Sequence, residues 1–393
     1  MRQTLTVLDF GTSKIVALVA ETSGRQRCDI IGAGTVHYDG YTNRQWNDPA
    51  SLNEAIASAV HEAEEQSRIN KIRDIQVGVP GEFCKVRTAE VVVPLQGADP
   101  QVTDKDIRDL MERAREEIDP VLLNNVIYSS PAWFTVDDGK KTVAPVGMRG
   151  HELRGMVSFV IADSFFMEDV NARLQSLNMN VSGFMPSSVG QAMLYISGEE
   201  RDRTAILVDV GYLNTDVMAV EGDTITFLKT IPMGGGHIAA DLCYGLEITL
   251  TSAEQIKRNY VYGLSTGTTT FEGTTRDGET KTFTYDEVGK VLEPRADEIC
   301  DAIKDAIKES GARLGNWSPV YLTGGGLVLN KGGRDLLSSK LDKPVKELPH
   351  KAVKLSNPSY TSTLGLLDLV ISTYDNERIN SGVSGFFRSL FGS

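Results

Sequence analysis

The chain has 393 residues, 41% hydrophobic and 24% charged, which is too long for one hydrophobic core and too apolar for wholesale disorder. Its net charge of −13 would repel a phosphate backbone, and no basic stripe offsets it, so a nucleic-acid partner is excluded. Cys28, Cys84, Cys243 and Cys300 are scattered without a C-x-x-C pair, which reads as reduced thiols and excludes a disulfide framework or cysteine metal site.

The N-terminus leads straight into a strand with no secretory signal, and no stretch of about 18 apolar residues occurs, so a cytoplasmic chain without a spanning segment is expected. Residues 4–9 are a β-branched apolar run ending in Asp9; Gly11-Thr12-Ser13 turns the chain into a second run over 15–20. This predicts a hairpin whose turn can hold phosphate. Gly11 allows the positive φ that points successive N–H groups at one anion, Thr12 and Ser13 add hydroxyls, and Lys14 adds positive charge. Asp9, at the strand end, suits a hydrated Mg²⁺, which prefers carboxylate and water oxygen. An ordinary hairpin with a polar turn fits the same stretch.

A third strand is predicted over 28–38, then a helix that Asp48-Pro49-Ala50 can cap, with Leu52, Ile56, Ala59, Val60 and Ala63 at helical spacing. A strand over 75–80 completes a ββαβ-type unit. From 81 to 161 the order changes to β-α-β-β-β, with strands at 86–94, 126–129, 133–136 and 153–161 and a helix opened by Thr103. That segment reads as an inserted domain containing the tight loop GMRGHEL at 147–153. A helix over 165–177, a strand over 181–186 and a small-residue helix over 187–194 follow; Gly190 inside the last costs about 1 kcal/mol against alanine and marks close packing.

The opening pattern then recurs. AILVDVGYLNTDV at 205–217 is again an apolar strand ending in Asp, then Gly, a hydroxyl residue and a return strand, so two related domains are expected to face one nucleotide. A strand over 224–231 and the glycines of PMGGGH lead to a helix over 238–244, and another helix runs from 251 to near Gly263. Within it Glu254 and Lys257 share a face, which locally reads as a solvated ion pair. An exposed loop or hairpin covers 264–284, and a helix over 286–311 carries Val288, Val291, Ile299, Ile303 and Ile307. The strand 319–323 runs into Gly324-Gly325-Gly326 and a helix; the glycines let backbone approach a flat or charged ligand.

LDFGTSK at 8–14, LVDVG at 207–211, AEQIK at 253–257 and LTGGG at 322–326 resemble, in order, the first phosphate loop, second phosphate loop, ribose-contacting helix and adenosine loop of the actin-like ATPases. The insertion at 81–161 with its GMRGHEL loop, and IPMGGGHIAADLCYGL at 231–246, resemble the bacterial cell-division family FtsA. The resemblance implies an α/β, actin-like (ASKHA) two-lobed ATPase fold with an inserted small α+β domain and a C-terminal amphipathic helix. The first lobe would comprise 1–80 with 162–203 and 354–374, and the inserted domain 81–161. The second lobe would have its core at 204–235 with 312–353 and a small subdomain at 236–311, followed by a linker at 375–382.

The resemblance also implies ATP and Mg²⁺ in the interlobe cleft. Asp9 and Asp209 would hold the metal; Gly11, Thr12, Ser13, Lys14 and Gly211 would hold phosphate, with Thr215 and Gly235 among the nucleotide-binding residues; Glu254 and Lys257 would contact ribose or base, with Gly324, Gly325 and Gly326 against adenosine. The tail carries Val383, Phe386, Phe387, Leu390 and Phe391 at i, i+3, i+4, i+7 and i+8, one side of a helix. That stripe needs an apolar partner, its own protein or a membrane surface, and the family likeness points to membrane lipid over 383–393. A homopolymer on the inner membrane face at the division site is implied, with FtsZ as partner and later division proteins bound through the insertion. The chain departs from the family in the second phosphate loop, where Tyr212, Leu213 and Asn214 replace small glycines and a hydroxyl, so slow or absent hydrolysis is expected. A PilM-type pilus component and a sugar-kinase-like enzyme share parts of the pattern.

Overall fold

A computed structural model describes residues 3–22, 28–264, 269–315, 318–349, 351 and 355–379. β1 (Gln3–Phe10) and β2 (Lys14–Thr22) form the expected hairpin, and β3 (Cys28–His37) pairs with β2. The short strands β4 (Tyr41–Thr42) and β5 (Gln45–Trp46) lead to α1 (Leu52–Ser67), which buries Leu52, Ile56, Ala59, Val60 and Ala63. Asp48 organises the turn ahead of that helix, accepting from the Ala50 amide at 3.0 Å and the Ser51 hydroxyl at 2.7 Å. β6 (Asp74–Val79) then returns parallel to β1.

The inserted segment contains β7 (Cys84–Pro94), α2 (Asp104–Glu116), α3 (Pro120–Leu123), β8 (Val126–Val136) and β9 (Glu152–Ala162). Its order is β-α-α-β-β: the two strands expected over 126–129 and 133–136 are one. Pro131 falls between those two stretches without ending the strand. It lies on an edge strand, since the sheet order is β7-β9-β8, and a bulge between Pro131 and Trp133 absorbs the missing donor. Leu110, Met111, Phe134, Leu153 and Phe159 give this segment its own core. It also touches the second lobe, where the Ser158 hydroxyl donates to the Ile225 carbonyl at 2.6 Å and the Tyr128 hydroxyl to the Asp223 carbonyl at 2.8 Å.

The chain returns through α4 (Ser164–Ser176) and β10 (Asn180–Pro186), giving a first sheet of order β10-β6-β1-β2-β3. After α5 (Ser187–Tyr195) and α6 (Gly198–Arg201), a second sheet starts with β11 (Ala205–Val210), β12 (Thr215–Glu221) and β13 (Thr224–Ile231). Then come α7 (Gly235–Gly245), α8 (Leu250–Asn259), the hairpin of β14 (Thr270–Thr274) and β15 (Thr280–Thr284), and α9 (Tyr285–Glu309). The last elements are β16 (Val320–Thr323), α10 (Gly333–Leu341), β17 (Val345–Glu347) and α11 (Thr361–Ile379). The order β13-β12-β11-β16-β17 repeats the first sheet: three antiparallel strands followed by two parallel ones. The duplication read from the loops is thus a duplication of whole sheets.

Four boundaries differ from expectation. α7 starts at Gly235, not 238, because the Gly235 and Gly236 amides find acceptors in the Gly211 carbonyl at 2.9 Å and the Tyr212 carbonyl at 2.6 Å. α8 stops at Asn259, short of Gly263. After Thr323 the chain makes turns, and the next helix waits until Gly333. Residues 375–379, read as linker, continue α11. Val383, Phe386, Phe387, Leu390 and Phe391 lie outside the described residues, among which no helix is long and apolar enough to cross a membrane.

Both faces of the first sheet are covered, which is why β1 and β2 read as near-continuous apolar runs. On one face Leu364, Leu366, Leu367, Val370 and Ile371 of α11 pack on Leu5, Val7, Val16 and Leu18. On the other, Phe10, Tyr41, Trp46, Phe83 and Phe166 form a ring cluster with contacting centroids 4.7 to 5.8 Å apart. That cluster fixes the residue before Gly11 and the entry to the insertion together.

Candidate functional site

The two hairpin turns have one geometry. The Gly11 amide donates to the Lys14 carbonyl at 2.9 Å, and the Gly211 amide to the Asn214 carbonyl at 2.9 Å. Neither glycine has positive φ, contrary to the expectation for Gly11; what each avoids is crowding, since a Cβ would stand 3.2 Å from the Lys14 carbonyl oxygen or 3.0 Å from that of Asn214. The left-handed residue of the site is Gly324, at φ +88. The loops face each other directly, with the Leu213 amide donating to the Thr12 hydroxyl at 3.0 Å.

Between them lies a cavity of about 350 Å³. Asp9, Gly11, Thr12, Ser13, Lys14, Asp209, Gly211, Glu254, Lys257, Gly324 and Gly325 all line it. Thr215, Gly235 and Gly326 stand behind that wall. The Thr215 hydroxyl bonds the Met233 carbonyl at 2.8 Å, the Gly326 amide bonds the Val210 carbonyl at 2.7 Å, and Gly235 packs against Gly326. They shape the loop without facing the cavity.

Each cleft carboxylate is held by a helix. Asp9 accepts from the Ser187 hydroxyl at 2.7 Å and the Thr363 hydroxyl at 2.8 Å; Asp209 accepts from the Gln191 amide at 2.7 Å, and the same amide reaches Thr361 at 2.9 Å. Burial pushes the Asp209 carboxyl up to about 6 against that hydrogen bond, with the Asp9 charge adding to it. Asp216, its neighbour across the β11–β12 pair, is pushed up to about 7 by burial, with Asp209 and Glu82 adding. A buried pair of acids is relieved by a cation. Asp9 and Asp209 present carboxylate oxygens to the cavity, the donor type a hard divalent cation takes, and among the described residues no group of three or more His, Cys, Asp or Glu side chains gathers.

Positive charge enters from two sides. Lys14 donates to the Ser359 hydroxyl at 2.7 Å and stands 3.6 Å over the Tyr360 ring, and burial pulls its ammonium down to about 8. Lys257 is not solvated as its local sequence implies. Its side chain is 4% exposed and donates to Glu254 at 2.7 Å and to the Gly235 carbonyl at 2.8 Å, and burial lowers its pKa. A buried lysine at a cleft edge, paired on one side only by a carboxylate, leaves a donor direction for an incoming anion or hydroxyl.

Sequence reasoning missed Ser187, Gln191, Thr361 and Thr363. Their signal was present as polar residues at buried positions of otherwise apolar helices. It also missed the tie between Lys14 and residues 359–360, which no local pattern joins.

Comparison with known proteins agrees with this architecture. The family described as cell division protein FtsA matches residues 206–365, and the one described as the SHS2 domain inserted in FtsA matches 81–161. The chain is 24% identical over 369 residues to the cell division protein FtsA of Pseudomonas aeruginosa, covering 92% of this chain and 87% of that one. The solved PilM-PilN type IV pilus biogenesis complex is similar with a TM-score of 0.62 and 17% identity over 93% of this chain and 98% of that chain. MreB5 of Spiroplasma citri, solved bound to ADP, is similar with a TM-score of 0.55 and 12% identity over 96% and 99%. At these identities the structural likenesses establish the actin-like fold.

Proposed function

The chain belongs to the FtsA family of cell-division proteins, and from that premise we propose that it is an ATP-binding membrane tether for FtsZ. It binds ATP with Mg²⁺ between its lobes, assembles into filaments on the inner face of the cytoplasmic membrane, and recruits later division proteins through residues 81–161. The observation that carries the nucleotide is the pair of matched turns, each with its aspartate, facing across one cavity. The ADP carried by the Spiroplasma neighbour supports it.

Asp9 and Asp209 would hold the hydrated metal, which supplies positive charge against phosphate oxygens. The amides and hydroxyls of 11–14 would hold phosphate, and Glu254 with Lys257 the ribose. Turnover is slow or absent, because Tyr212, Leu213 and Asn214 replace the open backbone that a phosphate needs close by. PilM remains a structural neighbour at 17% identity, while both FtsA families match the chain.

The tail supplies the membrane step. Full burial of an apolar side chain is worth about 1.5–3 kcal/mol; shallow immersion at an interface gives less, and a filament makes many weak attachments firm. The test is co-sedimentation with vesicles and FtsZ in Mg²⁺-ATP, comparing the full chain with one ended after Ile379, since an earlier cut would sever α11. The full chain should pellet and carry FtsZ, and the shortened one should lose at least tenfold of its lipid-bound fraction. Equal pelleting of both, or pelleting without FtsZ, rules the tether out.

A further inference from the structure

We propose that Tyr360 positions the phosphate-binding cation of the cleft: its ring face, with the Ser359 hydroxyl, holds the Lys14 ammonium where an incoming phosphate needs it. The inference rests on the nucleotide reading above. Lys14 opens β2 directly after the first turn. Ser359 lies 345 positions further along the chain, yet its hydroxyl accepts from Lys14 Nζ at 2.7 Å, and the same nitrogen stands 3.6 Å from the centroid of the Tyr360 ring. All three residues line the cavity.

The chemistry of these partners decides what the lysine can do. The other cleft lysine, Lys257, is held by the Glu254 carboxylate at 2.7 Å, which cancels its charge. Among the described residues Lys14 forms no ion pair, and an aromatic face and a hydroxyl hold it instead. Both fix an ammonium through electron-rich atoms, but neither carries a negative charge, so the positive charge stays available to an anion. Burial works against the arrangement by pulling the ammonium down to about 8, and the Asp9 charge opposes that pull. Ser359 takes one of the three ammonium donors as an acceptor and keeps its own proton to donate. A phosphate oxygen accepts from ammonium and hydroxyl together.

The holder is itself preset. Pro358–Tyr360 is a single 3₁₀ turn, closed by the Asn357 side chain accepting from the Ser359 amide at 3.0 Å and the Asn357 carbonyl accepting from the Tyr360 amide at 3.0 Å. The Tyr360 hydroxyl lies 3.4 Å from the Thr35 hydroxyl on β3, which limits how the ring can tilt. The next residue, Thr361, starts α11; its hydroxyl meets that of Thr323 in the second sheet at 2.9 Å and accepts from the Gln191 amide that also holds Asp209. A turn anchored in both lobes thus places a cation that belongs to the first phosphate loop.

The test is calorimetric titration with Mg²⁺-ATP of the full chain, Tyr360→Leu, Tyr360→Phe, Lys14→Met and the Lys14→Met/Tyr360→Leu pair. Tyr360 is only part-buried, so leucine is tolerated there. Affinity should fall about tenfold in Tyr360→Leu and stay within about twofold of the parent in Tyr360→Phe, which keeps the ring face. Lys14→Met should lose at least as much, and adding Tyr360→Leu to it should cost nothing more, because the ring acts through the lysine. Should Tyr360→Leu fail to fold, Ser359→Ala carries the same test, with a loss of a few-fold that vanishes in the Lys14→Met background. Unchanged affinity in Tyr360→Leu, an equal loss in Tyr360→Phe, or a loss that adds to that of Lys14→Met each overturns the positioning role and leaves the nucleotide reading standing. No ATP binding by the parent chain overturns both.

Discussion

Gly365→Ala will lower the melting temperature by several degrees, although it adds one methyl group to a helix that alanine ordinarily favours. α5 and α11 cross at Gly190 and Gly365. A Cβ on Gly190 would overlap the Gly365 carbonyl, and one on Gly365 would overlap the backbone of Gln191. Because both obstacles are backbone, no rotamer change relieves them, and the helices must move apart at a cost of about 1–3 kcal/mol or more. The cost reaches the cleft as well. Gln191, beside the crossing, holds Asp209, and Thr363, two residues before Gly365, holds Asp9, so a shift between the helices separates the two carboxylates from their donors. Gly198→Ala is the control, with its nearest atom 4.0 Å from the added carbon, and it should melt within about 0.5 kcal/mol of the parent. Thermal melts of the three proteins decide the matter: coincident transitions for Gly365→Ala and Gly198→Ala would mean that the crossing is loose.

That crossing shows what the sequence could and could not convey. Gly190 was legible as a packing glycine because an unforced glycine inside a helix is costly, yet nothing marked Gly365 as its partner, 175 positions away by the numbering. The matched turns were legible because Asp9-x-Gly11 and Asp209-x-Gly211 repeat within otherwise unrelated text. Their surroundings were not. Glu254 and Lys257 have the spacing of a surface ion pair, and only the packing of α7 on α8 buries the lysine to 4% exposure. The stretches 126–129 and 133–136 are one strand through Pro131, since a sequence does not say that the strand lies at an edge. In each case the local rule was sound, and a long-range contact decided how it applied.

The metal-free chain is expected to lose stability as the pH rises from about 4 to about 7, the reverse of ordinary acid lability. The Asp209 carboxyl, pushed up to about 6, and that of Asp216, pushed up to about 7, both start from an ordinary value of 3.8. Between those limits the folded chain holds protons that the unfolded chain has released, so stability falls as pH climbs through the window. At about 1.4 kcal/mol per pKa unit, these shifts amount to roughly 3 kcal/mol for Asp209 and roughly 4–5 kcal/mol for Asp216 of stability lost across the window. Lys14 works in the next window with the opposite slope. Pulled down to about 8 by burial, it gives up its proton in the folded chain before the unfolded chain does, and stability recovers as pH rises above that point. A minimum near pH 7–8 follows. Mg²⁺ binding at Asp209 favours the ionised carboxylate, so metal affinity should increase as the pH rises through about 6, with proton release below it. Melts from pH 5 to 9 in chelator, and again with Mg²⁺ and nucleotide, measure both slopes. The chain's overall negative charge also destabilises it as pH rises, so the decisive comparison is the Asp209→Asn and Asp216→Asn double variant, which should flatten the descent between pH 5 and 7. If the double variant keeps the parent's slope, the cleft acids are not its source.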